Sequence, residues 1–154
     1  MPIKIKSKFV GQVQFSQSLN TVWRFLTSPQ LASECTPGLT EWREISPRSE
    51  FHLSFLWETP AKTKLNFPTK LTWETLSPPE KLCFSAVTDP KTFGRIHLDG
   101  EMALIENKEA ETTLEFTAVV QTTNPFINQL IKNVLPRQID QFFKCVKSKL
   151  NAQI

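Results

Sequence analysis

The sequence predicts an α+β fold in which a curved antiparallel sheet of about seven strands wraps around one long C-terminal helix, with two short helices after strand one. Three observations carry that prediction. Residues 3–15 and 39–121 alternate apolar with polar side chains almost without interruption, which is the period of half-buried strands. From Asn124 to Leu150 the period changes to three and four, placing Ile127, Ile131, Leu135, Ile139, Phe142, Val146 and Leu150 on one helix face. No other stretch is long enough to cover the apolar side of such a sheet.

Strand one puts Ile3, Ile5, Phe9, Val13 and Phe15 on one side, with lysines and glutamines on the other. Helical spacing follows through Leu19, Val22, Trp23 and Leu26, with Ser18 or Asn20 as the cap. Ser28-Pro29 opens a second short helix that runs to Glu34, and Thr36-Pro37-Gly38 ends it in a turn. The remaining strands read as a meander. Phe51, Leu53, Phe55 and Trp57 share one face, as do Leu65, Phe67, Leu71 and Trp73 in the next segment. Leu82, Phe84 and Ala86 follow the Pro78-Pro79 turn; Ile96, Leu98, Met102 and Leu104 follow Asp89-Pro90; Leu114, Phe116, Ala118 and Val120 close the sheet. In the last helix Asn124 is the candidate N-cap, with Pro125 at the first helical position. Phe126, Leu130, Val134 and Phe143 widen its stripe beyond a coiled-coil seam, so it should lie on a broad apolar surface. Pro136 removes one backbone hydrogen bond and predicts a kink or a break.

At 154 residues the chain reads as a single domain spanning 1–154, enough to remove roughly 70% of its surface from water. Its 40% apolar and 21% charged composition excludes the disordered and membrane-spanning classes. No apolar run approaches the ~20 residues of a membrane span. The first residues, MPIKIKSKF, alternate charge with apolar side chains and lack the continuous apolar core of a secretion signal, so a cytoplasmic location is expected. Cys35, Cys83 and Cys145 are scattered, odd in number and outside any CxxC pattern, which favours reduced thiols. Two histidines and three separated cysteines lack metal-ligand spacing, and four glycines form no phosphate loop, so no metal and no cofactor is expected. A net charge of +3 without a concentrated basic patch argues against nucleic acid. Nothing in the residues specifies an oligomeric state.

The order of elements resembles the helix-grip architecture of the START and birch-pollen-allergen (SRPBCC) superfamily. Within it, the segment VWRFLTSPQLASECTPGLTEW resembles the branch that holds the carbon monoxide dehydrogenase G-subunit and polyketide cyclase-like proteins. Ser28-Pro29-Gln30-Leu31 and the turn Cys35-Thr36-Pro37-Gly38 carry that likeness, with Thr36 where the branch has an apolar residue. The closing segment from Gln141-Phe142-Phe143 to Leu150 is also similar. The resemblance implies a site for an apolar or amphipathic molecule between helix and sheet. It also implies that relatives include lipid-delivery and membrane-recruitment factors as well as cyclases and dehydratases. The glycine-rich segment that precedes the last helix in the G-subunit proteins is replaced by Gln121-Thr122-Thr123-Asn124, so a membrane-anchoring role is not carried over.

A strongly curved sheet and one helix cannot touch everywhere, so the space between them is either filled by large side chains or left hollow. The candidate ligand wall comprises Phe55, Trp57, Phe67, Trp73, Phe84, Leu98, Met102 and Phe116 from the sheet, with Ile131, Leu135, Ile139 and Phe142 from the helix. Aromatic stripes pack more often than they bind. Four tryptophans and twelve phenylalanines with no tyrosine nevertheless favour a nonpolar wall suited to a lipid, isoprenoid or quinone-like compound. Thr63 and Thr69 fall on the inner face and are candidates to hydrogen-bond a head group.

Catalysis needs polar groups pointed inward, and the alternation places His52 and His97 outward. A bulge at Gly94 or Gly100 would shift the register and turn Arg95, His97 and Asp99 inward, making His97 a base oriented by Asp99. The leading reading is therefore a non-catalytic binding or carrier protein for a hydrophobic small molecule. The alternatives are a cyclase- or dehydratase-type enzyme using the same cavity, and an interaction protein with a filled core. On the far face of the last helix, Lys132, Arg137, Lys144, Lys147 and Lys149 meet only Asp140. That pattern suits a solvated face near the negative end of the helix dipole, or transient contact with an anionic membrane.

Overall fold

The computed structural model describes residues 4–59, 61–88 and 94–152. In chain order the elements are β1 (Ile5–Phe15), α1 (Leu19–Leu26), α2 (Pro29–Glu34), β2 (Leu39–Ser46), β3 (Glu50–Glu58), β4 (Lys64–Ser77), β5 (Lys81–Thr88), β6 (Ile96–Glu106), β7 (Thr112–Thr122) and α3 (Pro125–Asn151). The strands form one seven-stranded sheet in the order β1-β7-β6-β5-β4-β3-β2, antiparallel throughout. From β3 to β7 each strand lies beside its predecessor, and β1 joins β7 at the edge opposite β2. This is the curved α+β helix-grip sheet with a long terminal helix that the alternation and element order predict. Ile3 and the Asp89-Pro90 turn lie outside the described residues.

Each helix begins at a polar side chain that takes up otherwise unbonded backbone N–H groups. The Ser18 hydroxyl accepts from Thr21, the Ser28 hydroxyl from Leu31, and the Asn124 carbonyl oxygen from Phe126 and Ile127. Ser18 rather than Asn20 therefore caps α1. Of the kink or break expected at Pro136, the break does not occur: α3 runs unbroken for 27 residues. Lys132, whose carbonyl loses its partner to the proline, is exposed, so water can satisfy that oxygen and the helix can continue.

The cysteine reading is corrected. Cys35 and Cys145 form a disulfide across 110 residues of sequence, while Cys83 stays a free thiol. Spacing along the chain cannot report this pair, because the C-cap of α2 and the second half of α3 meet only in the folded protein. Beside it the Lys149 ammonium lies 2.6 Å from the Glu34 carboxylate, giving α2 a second attachment to α3.

Two buried clusters hold helix to sheet. Phe15, Val22, Phe25, Leu114, Val146 and Leu150 join α1 and the second half of α3 to β1 and β7. Phe67, Ile96, Val120, Ile127, Leu130 and Ile131 join the first half of α3 to β4, β6 and β7. Each such side chain contributes roughly 1.5–3 kcal/mol when fully buried. A buried hydrogen bond of 2.9 Å from the Ser7 hydroxyl to Asn128 Oδ1 ties β1 to the start of α3.

Candidate functional site

The helix rests chiefly on β1 and β7 and touches β4 through Phe67, which leaves space between it and the inner faces of β3, β4 and β5. An apolar cavity of about 350 Å³ occupies that space. All of the residues proposed from sequence as its wall border it: Phe55, Trp57, Phe67, Trp73, Phe84, Leu98, Met102 and Phe116 below, Ile131, Leu135, Ile139 and Phe142 above. The alternation could place them because register pairs inner residue with inner residue across every ladder, Phe55 with Phe67 and Met102 with Phe116 among them.

Other contributors escaped the sequence reading. Leu26, Ala32, Thr36 and Pro37 bring α1, α2 and the following turn to the cavity's edge. Because α2 buries none of its own residues, its apolar pattern is too thin to announce such a role. Gly38 ends that turn at φ +76°, and its backbone lies against the Trp57 indole; a Cβ there would approach Trp57 Cδ1 to 3.3 Å. Beneath the turn the Trp57 indole N–H is buried with no hydrogen-bond partner.

Two strand glycines shape the floor. Gly100 pairs with Phe84 across β5 and β6, and a Cβ at Gly100 would come within 2.2 Å of that ring. Gly11 pairs with Phe116 across β1 and β7, where a Cβ would come within 2.5 Å. Both rings sit against a bare backbone and border the cavity, and Phe116 is also stacked on Phe143 with ring centroids 5.4 Å apart. Gly100 therefore marks a close approach and not the register shift considered from sequence.

With β6 in register from Ile96 to Glu106, the candidate catalytic pair stays outside. His97 Nε2 lies 3.2 Å from Asp99 and 2.9 Å from the Ser85 hydroxyl, with the two side chains 41% and 53% exposed. His52 likewise sits on the outer face beside Glu50, at 3.6 Å. Glu101 borders the cavity in position, yet its carboxylate turns outward to Lys81 at 3.0 Å and raises the lysine pKa by hydrogen bonding and charge. Thr69 faces inward as expected; Thr63 does not, being exposed in the turn before β4. Among the described residues no group of histidine, cysteine and carboxylate side chains could hold a metal ion. No described helix is long and apolar enough to cross a membrane.

The family model for the G subunit of carbon monoxide dehydrogenase (CoxG) matches residues 11–151. The chain belongs to this family. In fold this CoxG-family protein is similar to a conserved protein from Geobacillus kaustophilus, with TM-score 0.82 and 15% identity over 96% of each chain. It is similar to a START superfamily protein from Mycobacterium smegmatis, with TM-score 0.72 and 10% identity over 96% of this chain and 99% of that one. A third likeness is to the Zhui aromatase/cyclase of a Streptomyces species, with TM-score 0.72 and 11% identity over 96% and 94%. No curated protein matches the chain in sequence.

Proposed function

We propose that this CoxG-family protein is a single-domain, non-catalytic carrier that holds a hydrophobic small molecule, such as a lipid, isoprenoid or quinone-like compound, between sheet and α3. The apolar cavity of about 350 Å³ carries the reading. Interiors normally pack at crystal density, so a hollow of that size is what a ligand site provides and a filled-core interaction protein does not. A cyclase or dehydratase reaction in the same cavity, which the aromatase/cyclase likeness invites, has no inward acid or base among the described residues to perform it. Organic extraction of the purified protein followed by mass spectrometry should return an apolar compound near one equivalent. Repeatedly empty extracts, together with no uptake of added apolar compounds, would overturn the carrier reading.

Transient contact with an anionic membrane is part of the proposal, since a carrier must load and unload. Lys144 pairs with Asp140 at 3.0 Å and Lys149 with Glu34. Lys132, Arg137 and Lys147 have no ion pair among the described residues and are exposed. Attachment through them would be worth about 1 kcal/mol per cation and should weaken as salt rises, which liposome pelleting at two ionic strengths measures.

A further inference from the structure

Resting on the carrier reading, we infer that the cavity selects uncharged amphipathic molecules whose hydroxyl or carbonyl group docks at Thr69 and Thr88, and that it rejects anionic head groups. These two threonines are cross-strand partners on β4 and β5, both border the cavity, and their hydroxyl oxygens are 2.7 Å apart. The Thr69 hydroxyl also lies 3.2 Å from the Phe67 carbonyl, to which it donates. Each hydroxyl has one proton, so two arrangements exist. When Thr69 donates to the Phe67 carbonyl, Thr88 donates to Thr69 and keeps lone pairs free to accept. When Thr69 turns its proton to Thr88, the Thr88 proton becomes free to donate. The pair can thus accept from a ligand hydroxyl or donate to a ligand carbonyl.

The lining lacks charge. Thr36 already donates to the Ala32 carbonyl at 2.8 Å, Gln138 is neutral, and Glu101 is turned outward to Lys81. No cationic side chain borders the cavity among the described residues. An entering carboxylate or phosphate would lose its water and gain no counter-charge, a penalty that drives such groups to neutralise or stay out. The volume of about 350 Å³ falls near the small end of the ~300–1,000 Å³ usual for ligand pockets. It suits one chain or ring system better than a two-chain lipid.

Trp57 and Trp73 border the cavity, so their fluorescence reports occupancy. The probes are dodecanol, 2-dodecanone, dodecanoate and dodecane at neutral pH, titrated into the wild-type protein and the double variant Thr69→Val, Thr88→Val. Dodecanol and 2-dodecanone should bind about fivefold tighter than dodecane. Dodecanoate should bind about a hundredfold weaker than dodecanol, because it must take up a proton to enter. In the double variant the advantage of the alcohol over the alkane should vanish. Equal affinity for dodecanoate and dodecanol would overturn the inference. So would an alcohol advantage that survives in the variant. If the variant fails to fold, the wild-type ranking decides: dodecane binding as tightly as dodecanol and 2-dodecanone sinks the threonine dock and leaves the carrier reading standing. Failure of all four probes to bind sinks both.

Discussion

Strands β3 and β7 carry the same alternating signature, yet they meet opposite fates. On β7 the inner positions Thr112, Leu114, Ala118, Val120 and Thr122 are buried, Leu114 at 0% exposed, and only Phe116, at the cavity, is half-buried. On β3 only Phe51 is buried, while Leu53, Phe55 and Trp57 stay half-buried along the cavity. The difference lies in what covers them. The helix α3 rests on β7 and leaves β3 facing open volume. Alternation therefore reports which face a residue occupies, and the position of the helix decides whether that face becomes core or wall.

The contrast can be broken most strongly where α3 is anchored. Removing the disulfide by Cys145→Ser releases a constraint across 110 residues and should lower stability by about 4 kcal/mol. Denaturant titration with and without reductant measures it; a curve indifferent to reductant would show the bond absent in solution. Leu114→Ala on the covered side should cost about 3 kcal/mol with apolar probe binding preserved. Gly100→Ala should cost about 2 kcal/mol and weaken probe binding, because the Phe84 ring must lift off the backbone into the hollow. Phe55→Ala on the open side should cost only about 1 kcal/mol while changing probe affinity more than Leu114→Ala does. If Phe55→Ala and Leu114→Ala proved equally destabilising, the two strands would not differ as described. His97→Ala, on the outer face, should leave probe binding unchanged within about 0.5 kcal/mol.

Much of this was legible from residue order. A period of two followed by a period near three and a half located the strands, the caps and the long helix, and the inner residues of adjacent strands converge because their ladders are in register. What stayed hidden depends on distances through space. The Cys35–Cys145 bond joins residues that no local pattern connects. Gly11 draws no reading and Gly100 reads as a candidate bulge, and only the rings of Phe116 and Phe84 against them reveal their use. Thr88 falls on the same face as Phe84 and Ala86, but its significance comes from Thr69 on the neighbouring strand. Whether the interior was filled could not be read from composition, since large apolar side chains serve equally as packing and as lining.

Pro136 gives the longest element of the chain a mechanical joint. Before it, Ile127, Leu130 and Ile131 belong to one buried cluster; after it, Phe143, Val146 and Leu150 belong to the other. One backbone hydrogen bond is missing at that point, between the two anchored halves. That position lies between the two buried clusters, in the stretch of α3 where Ile131, Leu135, Gln138 and Ile139 border the cavity.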